Sequence, residues 1–313
     1  MDRIIHNFLS GKSGGNYAEN DFELFKDFLK YTSEPKNTEL KKHKVALLFI
    51  CINKEYWQYA KDAIEGAKKF FLPGHDVDIL LWSDMPLSEE GEKIEHGAKE
   101  VFAVEPIEWP YPTLFRYNLF LQQEEKLREY DYLFYCDVDM RFVNYIGDEI
   151  FGDGLTATQH PMYAFKRPLW MPFDPNPESE AYIKQPGTLI ESEGKPLFMP
   201  LYFAGGFQGG KTEKYLEAAK IISKMIDKDL SKNYIARWND ESHWNKYLMD
   251  NPPARVLTPS FVYPDSLIEE YYKPIWGCNY PPKIVTLTKK FTTRILSAQE
   301  QATLRGMSDL TKL

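Results

Sequence analysis

Four short apolar runs, separated by helix-like segments, constrain the fold of the first half of the chain more than any other feature. They read VALLFICI from position 45, VDILLWS from 77, KEVFAVE from 99 and DYLFYC from 131. Their hydrophobicity is typical of strands buried on both faces, and the segments 55–71 and 113–130 have the period of amphipathic helices. This alternation predicts an α/β fold on a mostly parallel, Rossmann-like sheet, with ligands beyond the carboxyl ends of the strands.

The last of these runs brings two aspartates to one place. Asp137 and Asp139 follow it directly and are separated only by Val138. Residues two apart in a strand point to the same side, and carboxylate oxygens at a strand end suit Mg²⁺ or Mn²⁺ that bridges to a substrate's phosphates. A polar turn after a strand explains the same pair, so the pattern alone leaves both interpretations open.

The segment WNDESHWNKYL is a second candidate. Asp240 is placed to cap a helix, and Glu241 falls in the first turn, where the helix dipole favours negative charge. Capping and surface charge are therefore one interpretation. His243 and the flanking Trp238 and Trp244 favour a sugar site, because tryptophan faces stack on sugar rings and carboxylates bind sugar hydroxyls.

Four glycines, Gly205, Gly206, Gly209 and Gly210, end the strand-like segment PLYFAGGFQGG. Their spacing matches neither a dinucleotide-binding motif nor a P-loop. Close approach of the backbone to a ligand is one reason for such glycines, and a strand kink or a tight turn is the other. The proline-rich residues 161–200 before them predict a long surface loop over the site.

Net charge and cysteine content indicate which cellular compartment and which binding partners the protein has. The net charge of −8 argues against a protein dedicated to nucleic acid or to an anionic membrane. Three cysteines, Cys51, Cys136 and Cys278, leave one unpaired in any disulfide scheme, so we interpret them as reduced thiols. The first residues contain no apolar run long enough for a signal peptide or a membrane helix. We therefore expect a soluble, cytoplasmic protein without a membrane anchor.

With these segments in hand, the sequence resembles the family of retaining α-1,3-galactosyl- and N-acetylgalactosaminyltransferases that includes the blood-group A and B glycosyltransferases. The likeness runs from about Lys44 to about Arg294, and its strongest segments are YLFYCDVDM, AYI, GGFQGG, WNDESHWNKYL and ARVLTPSFVY, in the family's order. The resemblance implies a GT-A type fold for nucleotide-diphospho-sugars, with an acceptor-binding elaboration. The implied parts are a peripheral extension (1–43), one catalytic domain (44–294, with a donor half at about 44–140 and an acceptor and catalytic half at about 141–280) and a tail that closes over the diphosphate (281–313).

The resemblance also implies the roles of single residues. The metal, Mn²⁺ with Mg²⁺ as the other option, is bound by Asp137 and Asp139. The catalytic residues are Glu241, Asp240 and Arg116. The donor-binding residues are Phe49, Cys51, Tyr56, Arg116, Val138, Ala204, Gly205, Gly206, Asp240, Lys289, Lys290 and Arg294. The acceptor-binding residues are His160, Trp238, Glu241 and Asp265.

The function that the resemblance implies is metal-dependent transfer of N-acetylgalactosamine or galactose from a UDP-sugar to the 3-hydroxyl of a galactose-containing glycan. Gly206 has no side chain to block an acetamido group, which favours UDP-N-acetylgalactosamine, although one such contact is worth only about 1–3 kcal/mol. A lectin-like protein that binds glycan without transfer and a UDP-sugar hydrolase are the alternatives. Asn239 stands where the vertebrate enzymes have histidine, and the segment 161–200 differs from theirs, so the acceptor is less constrained than the donor.

Overall fold

The computed structural model of the chain describes seven stretches of sequence. They are residues 42–85, 97–163, 172–183, 190–192, 195–197, 202–265 and 282–288. All but the last two positions of the predicted N-terminal extension lie outside these residues. The basic tail residues Lys289, Lys290 and Arg294 also lie outside, as does Cys278.

A seven-stranded sheet is the centre of the structure, in the order β10-β6-β9-β4-β1-β2-β3. The strands of the chain are β1 (Lys44–Cys51), β2 (Asp76–Ser83), β3 (Glu100–Ala103), β4 (Tyr132–Cys136), β5 (Met140–Phe142), β6 (Leu155–Gln159), β7 (Ile190–Ser192), β8 (Lys195–Leu197), β9 (Phe203–Lys211), β10 (Arg255–Leu257), β11 (Tyr263–Pro264) and β12 (Ile284–Thr286). Within the large sheet only β9 is antiparallel to its neighbours, β4 and β6. The predicted α/β fold with a mostly parallel sheet is confirmed.

The helices cover both faces of this sheet. They are α1 (Lys54–Phe70), α2 (Tyr111–Leu114), α3 (Arg116–Leu121), α4 (Glu124–Leu127), α5 (Thr212–Ser231) and α6 (Asp240–Asp250), with two 3₁₀ turns at Asp148–Ile150 and Pro259–Phe261. Alternate residues of β1 pack to opposite sides: Leu47 and Phe49 lie in the layer under α1, whereas Leu48 lies in the layer under α3 and α5. Both faces of the strand are therefore buried, as its continuous hydrophobicity predicts.

The single helix predicted over 113–130 is wrong, because the chain forms three short helices there. It leaves helical geometry at Phe115 and again at Gln123. The apolar period runs on through both breaks, but the break at Phe115 starts a new helix at Arg116, whose side chain is buried in the protein. Tertiary contacts of this one charged side chain outweigh the local helix propensity.

The glycine cluster lies in β9, which ends one residue after Gly210, so the prediction of a strand that runs into these glycines is confirmed. Gly209 and Gly210 sit where the neighbouring strands approach closely: a Cβ on Gly209 would lie 2.2 Å from the carbonyl oxygen of Leu133, and one on Gly210 would lie 2.4 Å from that of Gly154. No larger residue fits at either position without displacing the backbone.

Gly205 and Gly206 occur for a different reason: they lie in a bulge of β9. Thr158 of β6 pairs with Ala204, and the preceding Ala157 pairs with Gln208, so residues 205–207 have no partner on β6. Bulges of this kind turn backbone groups away from a sheet. The peptide groups of 205 and 206 bond instead to the side chains of Arg116 and Glu241 and to the backbone N–H of Asp137.

Two smaller sheets complete the described structure. β5 pairs antiparallel with β12, which pairs parallel with β11, and β7 pairs antiparallel with β8. The β5–β12 pair holds the end of the described chain against the two aspartates, since the backbone N–H of Leu287 donates to the carbonyl of Asp139 at 3.1 Å. Within the described residues, no helix has the length and apolar character needed to cross a membrane.

Candidate active site

Asp137 stands at the carboxyl end of β4 with its side chain about one-third exposed. Its backbone N–H donates to the carbonyl of Gly206 at 2.9 Å, which ties the strand end to the bulge of β9. Its Oδ1 accepts the hydroxyl of Tyr135 at 2.5 Å and Nη2 of Arg116 at 3.2 Å. Asp139, two residues on, is buried, so the two carboxylates lie in different environments.

Arg116 joins the end of β4 to the start of α6. Its side chain is only 3% exposed, and Nη1 lies 3.1 Å from Oδ2 of Asp240 while donating to the carbonyl of Gly205 at 2.8 Å. The guanidinium also stacks on the ring of Tyr135 at 4.0 Å. Burial alone would lower the pKa of Arg116, but the neighbouring carboxylates, Asp240 first, raise it well above its usual value. The site therefore contains a permanent positive charge.

Asp240 is the first residue of α6 and does not cap it, so the predicted N-cap is wrong. The N-cap is Asn239, which has a positive φ of 51° and makes no capping bond with its side chain. The carboxylate of Asp240 instead turns inward to Arg116. Burial raises the pKa of Asp240 to about 6, and the charge of Arg116 opposes that rise.

Glu241, the next residue, is held by the bulge of β9. Its Oε2 accepts the backbone N–H of Gly205 at 2.7 Å. Removal from bulk water raises the pKa of Glu241 to about 7, and the bond from Gly205 opposes that rise. A carboxylate with this pKa, fixed next to a buried ion pair, is typical of a catalytic group.

An aromatic group lies on the other side of Glu241. The hydroxyl of Tyr202 lies close to Glu241. Burial, and then the charge of Glu241, raise the pKa of this hydroxyl well above its usual value. The ring of Tyr202 packs edge-on to His160 at 5.8 Å and to Tyr163 at 5.1 Å. Trp238, just before α6, keeps 43% of its surface exposed. Exposed and half-buried rings beside a carboxylate are suited to binding a sugar.

The structure brings most of the predicted site residues together. Those within this one network of contacts are Arg116, Asp137, Gly205, Gly206, Asp240 and Glu241, with His160 next to them through Tyr202. Val138 and Ala204 are buried beside them, in the hydrophobic layer under α1. The predicted sugar-binding roles of His243 and Trp244 are wrong, because both side chains are buried, His243 against Asp229 and Trp244 against Tyr215.

Other predicted residues contact groups outside this network. Phe49 and Cys51 have no exposed surface, and burial, with Asp84 adding to it, raises the pKa of the Cys51 thiol to about 12, so it is unreactive. The half-buried Tyr56 packs on Tyr59 in α1. Both carboxylate oxygens of Asp265 accept bonds from Thr288, one from its N–H at 2.7 Å and one from its hydroxyl at 2.5 Å. The donor role of the first three and the acceptor role of Asp265 stay predictions.

Three residues of the site were not predicted from the sequence. Tyr135 precedes Asp137 by two positions and faces the same way along β4, so strand alternation could have indicated it. Asn245 is one helical turn after Glu241, and its side chain exchanges two bonds of 2.8 Å with the backbone of Phe203, which fixes α6 to β9. Tyr202 carried no local signal, because its neighbour Glu241 is distant in the sequence.

The carboxylate pair suits a divalent metal ion. Among the residues that the structure describes, no group of three or more histidine, cysteine or acidic side chains is arranged to hold a metal ion. Mg²⁺ and Mn²⁺ do not need such a group, because they are commonly held by one or two carboxylates together with substrate phosphates. The partly exposed Asp137 and the buried Asp139, two residues on, supply hard oxygen donors of this kind.

The acidic strand end of a mostly parallel sheet, near a glutamate on a neighbouring helix, agrees with the GT-A type of nucleotide-sugar glycosyltransferase that the sequence resembles. Comparison with protein families supports that class. Residues 31–273 match Glycosyltransferase family 6, and the chain belongs to this family.

Several relatives are similar to this chain. Histo-blood group ABO system transferase 1 of the rat is 30% identical over 219 residues, covering 69% of this chain and 60% of the relative. Human globoside alpha-1,3-N-acetylgalactosaminyltransferase 1 is 29% identical over 217 residues, covering 67% and 58%. The O-antigen biosynthesis glycosyltransferase WbnI of Escherichia coli is 30% identical over 247 residues, covering 79% and 95%. The chain thus spans about three fifths of the two mammalian relatives and nearly all of the bacterial one.

Proposed function

We propose that the protein is a retaining hexosyltransferase that moves N-acetylgalactosamine, or galactose, from a UDP-sugar to the 3-hydroxyl of a β-galactoside-type acceptor. The observation that carries the proposal is the continuous line of contacts from Asp137 through Arg116 to Asp240, with Glu241 held beside it by Gly205. This line joins a site for the diphosphate of the donor to a site where its sugar would react.

The surroundings of Asp137 support the diphosphate site. The cation of Arg116 lies against it, and the end of the described chain runs past it because β12 pairs with β5. Lys289 and Lys290 follow directly after Thr288, which Asp265 holds by two bonds. This anchoring supports the predicted role of the tail as a basic cover for the diphosphate.

A divalent metal ion held by Asp137 and Asp139 would act as a Lewis acid on the diphosphate. Arg116 adds a fixed positive charge from within the protein, where it requires no reorganisation during the reaction. Both contributions favour departure of UDP, since negative charge builds up on the diphosphate as the bond to the sugar breaks.

Glu241 is the group proposed to act on the sugar. In the reaction the bond between C1 of the sugar and the diphosphate oxygen breaks, its electron pair leaves with UDP, and C1 bonds the acceptor oxygen, whose proton passes to the departing diphosphate. The carboxylate of Glu241 either attacks C1 to form a glycosyl-enzyme or stabilises an oxocarbenium-like state. The bond from Gly205 to Oε2 fixes the carboxylate in orientation for either course.

The bulge of β9 brings its backbone close to the side chains proposed to act on the donor. A Cβ on Gly205 would lie 3.4 Å from Cβ of Glu241, and one on Gly206 would run into the end of the Met140 side chain and lie 2.9 Å from Oδ2 of Asp137, so only glycine allows this approach. The choice of N-acetylgalactosamine as donor sugar is supported by the name of the human relative, which specifies its transfer. The exposed ring of Trp238 and the group around His160 support an acceptor that contains a sugar ring.

The test is the variant Glu241→Gln, assayed for UDP release with UDP-N-acetylgalactosamine and UDP-galactose over a panel of simple β-galactosides. Loss of the charge should lower transfer by about three powers of ten or more. Affinity for UDP, measured by calorimetry, should stay within about twofold, because Glu241 contacts the sugar and not the nucleotide. The anomeric configuration of the product, read by NMR, tests retention.

Glu217→Gln is the matched control, since Glu217 lies on the exposed side of α5 in an ion pair with Lys214 and should not affect transfer. Near-normal turnover of Glu241→Gln refutes the assignment of the catalytic residue. Glycan binding without UDP release in the unmodified protein identifies a lectin, and UDP release that does not depend on an acceptor identifies a hydrolase.

A further inference from the structure

A buried carboxylate that the proposed reaction does not use lies behind α6. Asp229, near the end of α5, and His243 in α6 are each only 1% exposed. Nε2 of His243 lies 2.9 Å from Oδ2 of Asp229. Two ionisable side chains withdrawn from water to this extent are rare unless they pair, and a pair of this kind is expensive to break.

The other side of the His243 ring holds the residue before the catalytic helix. Nδ1 lies 3.1 Å from the carbonyl oxygen of Asn239. Both atoms that face the ring, this carbonyl and the carboxylate of Asp229, are acceptors, so a ring with N–H on both nitrogens satisfies both. Asn239 has a φ of 51°, a left-handed conformation that is uncommon for a residue with a side chain and persists only where its surroundings fix it.

The conformation of Asn239 decides where the catalytic residues point. It lies between Trp238, which is exposed, and Asp240, which is buried against Arg116. The carbonyl that His243 holds thus lies between Trp238, whose ring is proposed to bind the acceptor, and Asp240 and Glu241, which are proposed to act on the donor sugar. If this carbonyl turns, the first turn of α6 and Glu241 turn with it.

Asp229 also binds a part of the proline-rich region. Its Oδ2 accepts the hydroxyl of Ser179 at 2.7 Å, and its Oδ1 accepts the backbone N–H of Glu180 at 2.9 Å. Burial alone would raise the pKa of Asp229, but the bonds from His243, Ser179 and Glu180, with the charge of His243, hold it below its usual value. Nζ of Lys232 lies 3.8 Å from Oδ1 of the same carboxylate.

A second buried carboxylate fastens the same segment. Asp174 accepts the hydroxyl of Tyr234 at 2.9 Å and the backbone N–H of Arg237 at 2.7 Å. Residues 172–183 are therefore held against the connection between α5 and α6 at two points, one at each end of the segment.

We infer that Asp229 is a positioning residue: through His243 it fixes the orientation of the Glu241 helix, and through Ser179 and Glu180 it holds residues 172–183 in the same rigid unit. This inference rests on the proposed function, because it gives that unit the task of aligning the acceptor side with Glu241. Asp229 itself contacts none of the groups assigned to the donor or to the metal.

The test compares Asp229→Asn with Asp227→Asn, an exposed aspartate two residues earlier on the same helix. Asp229→Asn keeps the size of the side chain but removes its charge. Transfer should fall about 10- to 100-fold, because a misplacement of about 1 Å at the reacting centre has this effect. Affinity for UDP should stay within about twofold, and Asp227→Asn should behave like the unmodified protein.

Hydrogen exchange read by mass spectrometry separates positioning from a general loss of stability. In Asp229→Asn the amides of 179–182 and of 239–245 should both exchange faster, by about tenfold, while those of β1 and β4 keep their protection. Normal transfer together with normal exchange in both segments overturns the inference. Faster exchange throughout the sheet also overturns it, because it indicates a merely structural residue.

Ser179→Ala keeps the inference testable if Asp229→Asn does not fold, since it removes one hydroxyl and leaves the ion pair. Both segments should again exchange faster, by about threefold. Faster exchange confined to 179–182 overturns the proposed coupling. The exchange measurements do not depend on catalysis, so they distinguish failure of this inference from failure of the proposed transfer by Glu241.

Discussion

Replacing Arg116 by methionine should destabilise the protein in a way that depends on pH. Methionine keeps the apolar stem but removes the charge that lies 3.1 Å from the buried carboxylate of Asp240. Because burial has already raised the pKa of Asp240 to about 6, loss of the neighbouring cation should raise it further. An adjacent arginine typically lowers a carboxyl pKa by 1–3 units, so we take a further rise of about two units, which corresponds to about 2.7 kcal/mol.

The sign of the pH dependence follows from proton binding. Between its unfolded pKa and its raised folded pKa, Asp240 binds a proton more readily in the folded protein, so the stability contributed by this group falls as pH rises. In Arg116→Met the upper end of this pH range, which is the folded pKa of Asp240, rises by about two pH units. The free energy of unfolding should therefore lie about 3 kcal/mol below that of the unmodified protein at pH 8.5, and the gap should narrow toward pH 5.5.

Urea denaturation followed by circular dichroism at the two pH values measures the gap. Arg128→Met is the control, because Arg128 is half exposed in an ion pair with Glu124 one helical turn away, and such pairs contribute less than about 1 kcal/mol. A loss below about 1 kcal/mol at pH 8.5, or a gap that is the same at both pH values, refutes the role of Arg116 as the partner of a buried carboxylate.

Two further predictions concern the reaction. Since Glu241 has a pKa of about 7 and acts as the carboxylate, kcat/KM for transfer should rise with pH up to about 7 and be lost below it; a flat profile between pH 5.5 and 8 contradicts this. Removal of divalent metal with EDTA should abolish transfer and weaken UDP binding, with recovery on addition of Mn²⁺ and a smaller recovery with Mg²⁺. Undiminished transfer after EDTA shows that Asp137 and Asp139 are not metal ligands.

The sheet could be predicted from sequence because its signal is local. β1 and β4 are continuous apolar runs, as is the second half of β2, and burial on both faces explains these runs. The interrupted helix at Phe115 could not be predicted in this way. Its cause is the burial of Arg116 among groups far along the chain, including Gly205, and no window of neighbouring residues contains that information.

The residues of the candidate site also fall into those that a local motif reveals and those that only distant contacts reveal. The aspartates after β4 and the acidic start of α6 are short motifs, so both could be found without a structure. Tyr202 and Asn245 matter through contacts with residues that are distant in the sequence, as Asn245 does with Phe203. His243 and Trp244 were misjudged because a helix separates its faces by 100° per residue, and a motif read as a line of letters does not show which face is buried.

The place of β9 between β4 and β6 has a consequence for synthesis of the chain. The free edge of β4 is paired only when residue 211 has been made, since Tyr132 lies opposite Lys211 and Cys136 opposite Phe207. At ordinary rates of translation the ribosome needs roughly 4–15 s to extend the chain from residue 136 to residue 211. During that interval an apolar strand with unpaired backbone groups is exposed on a half-made sheet, which is a typical target for chaperones and a point of entry to aggregation. The yield of active protein should therefore depend on how fast the segment between the two strands is translated.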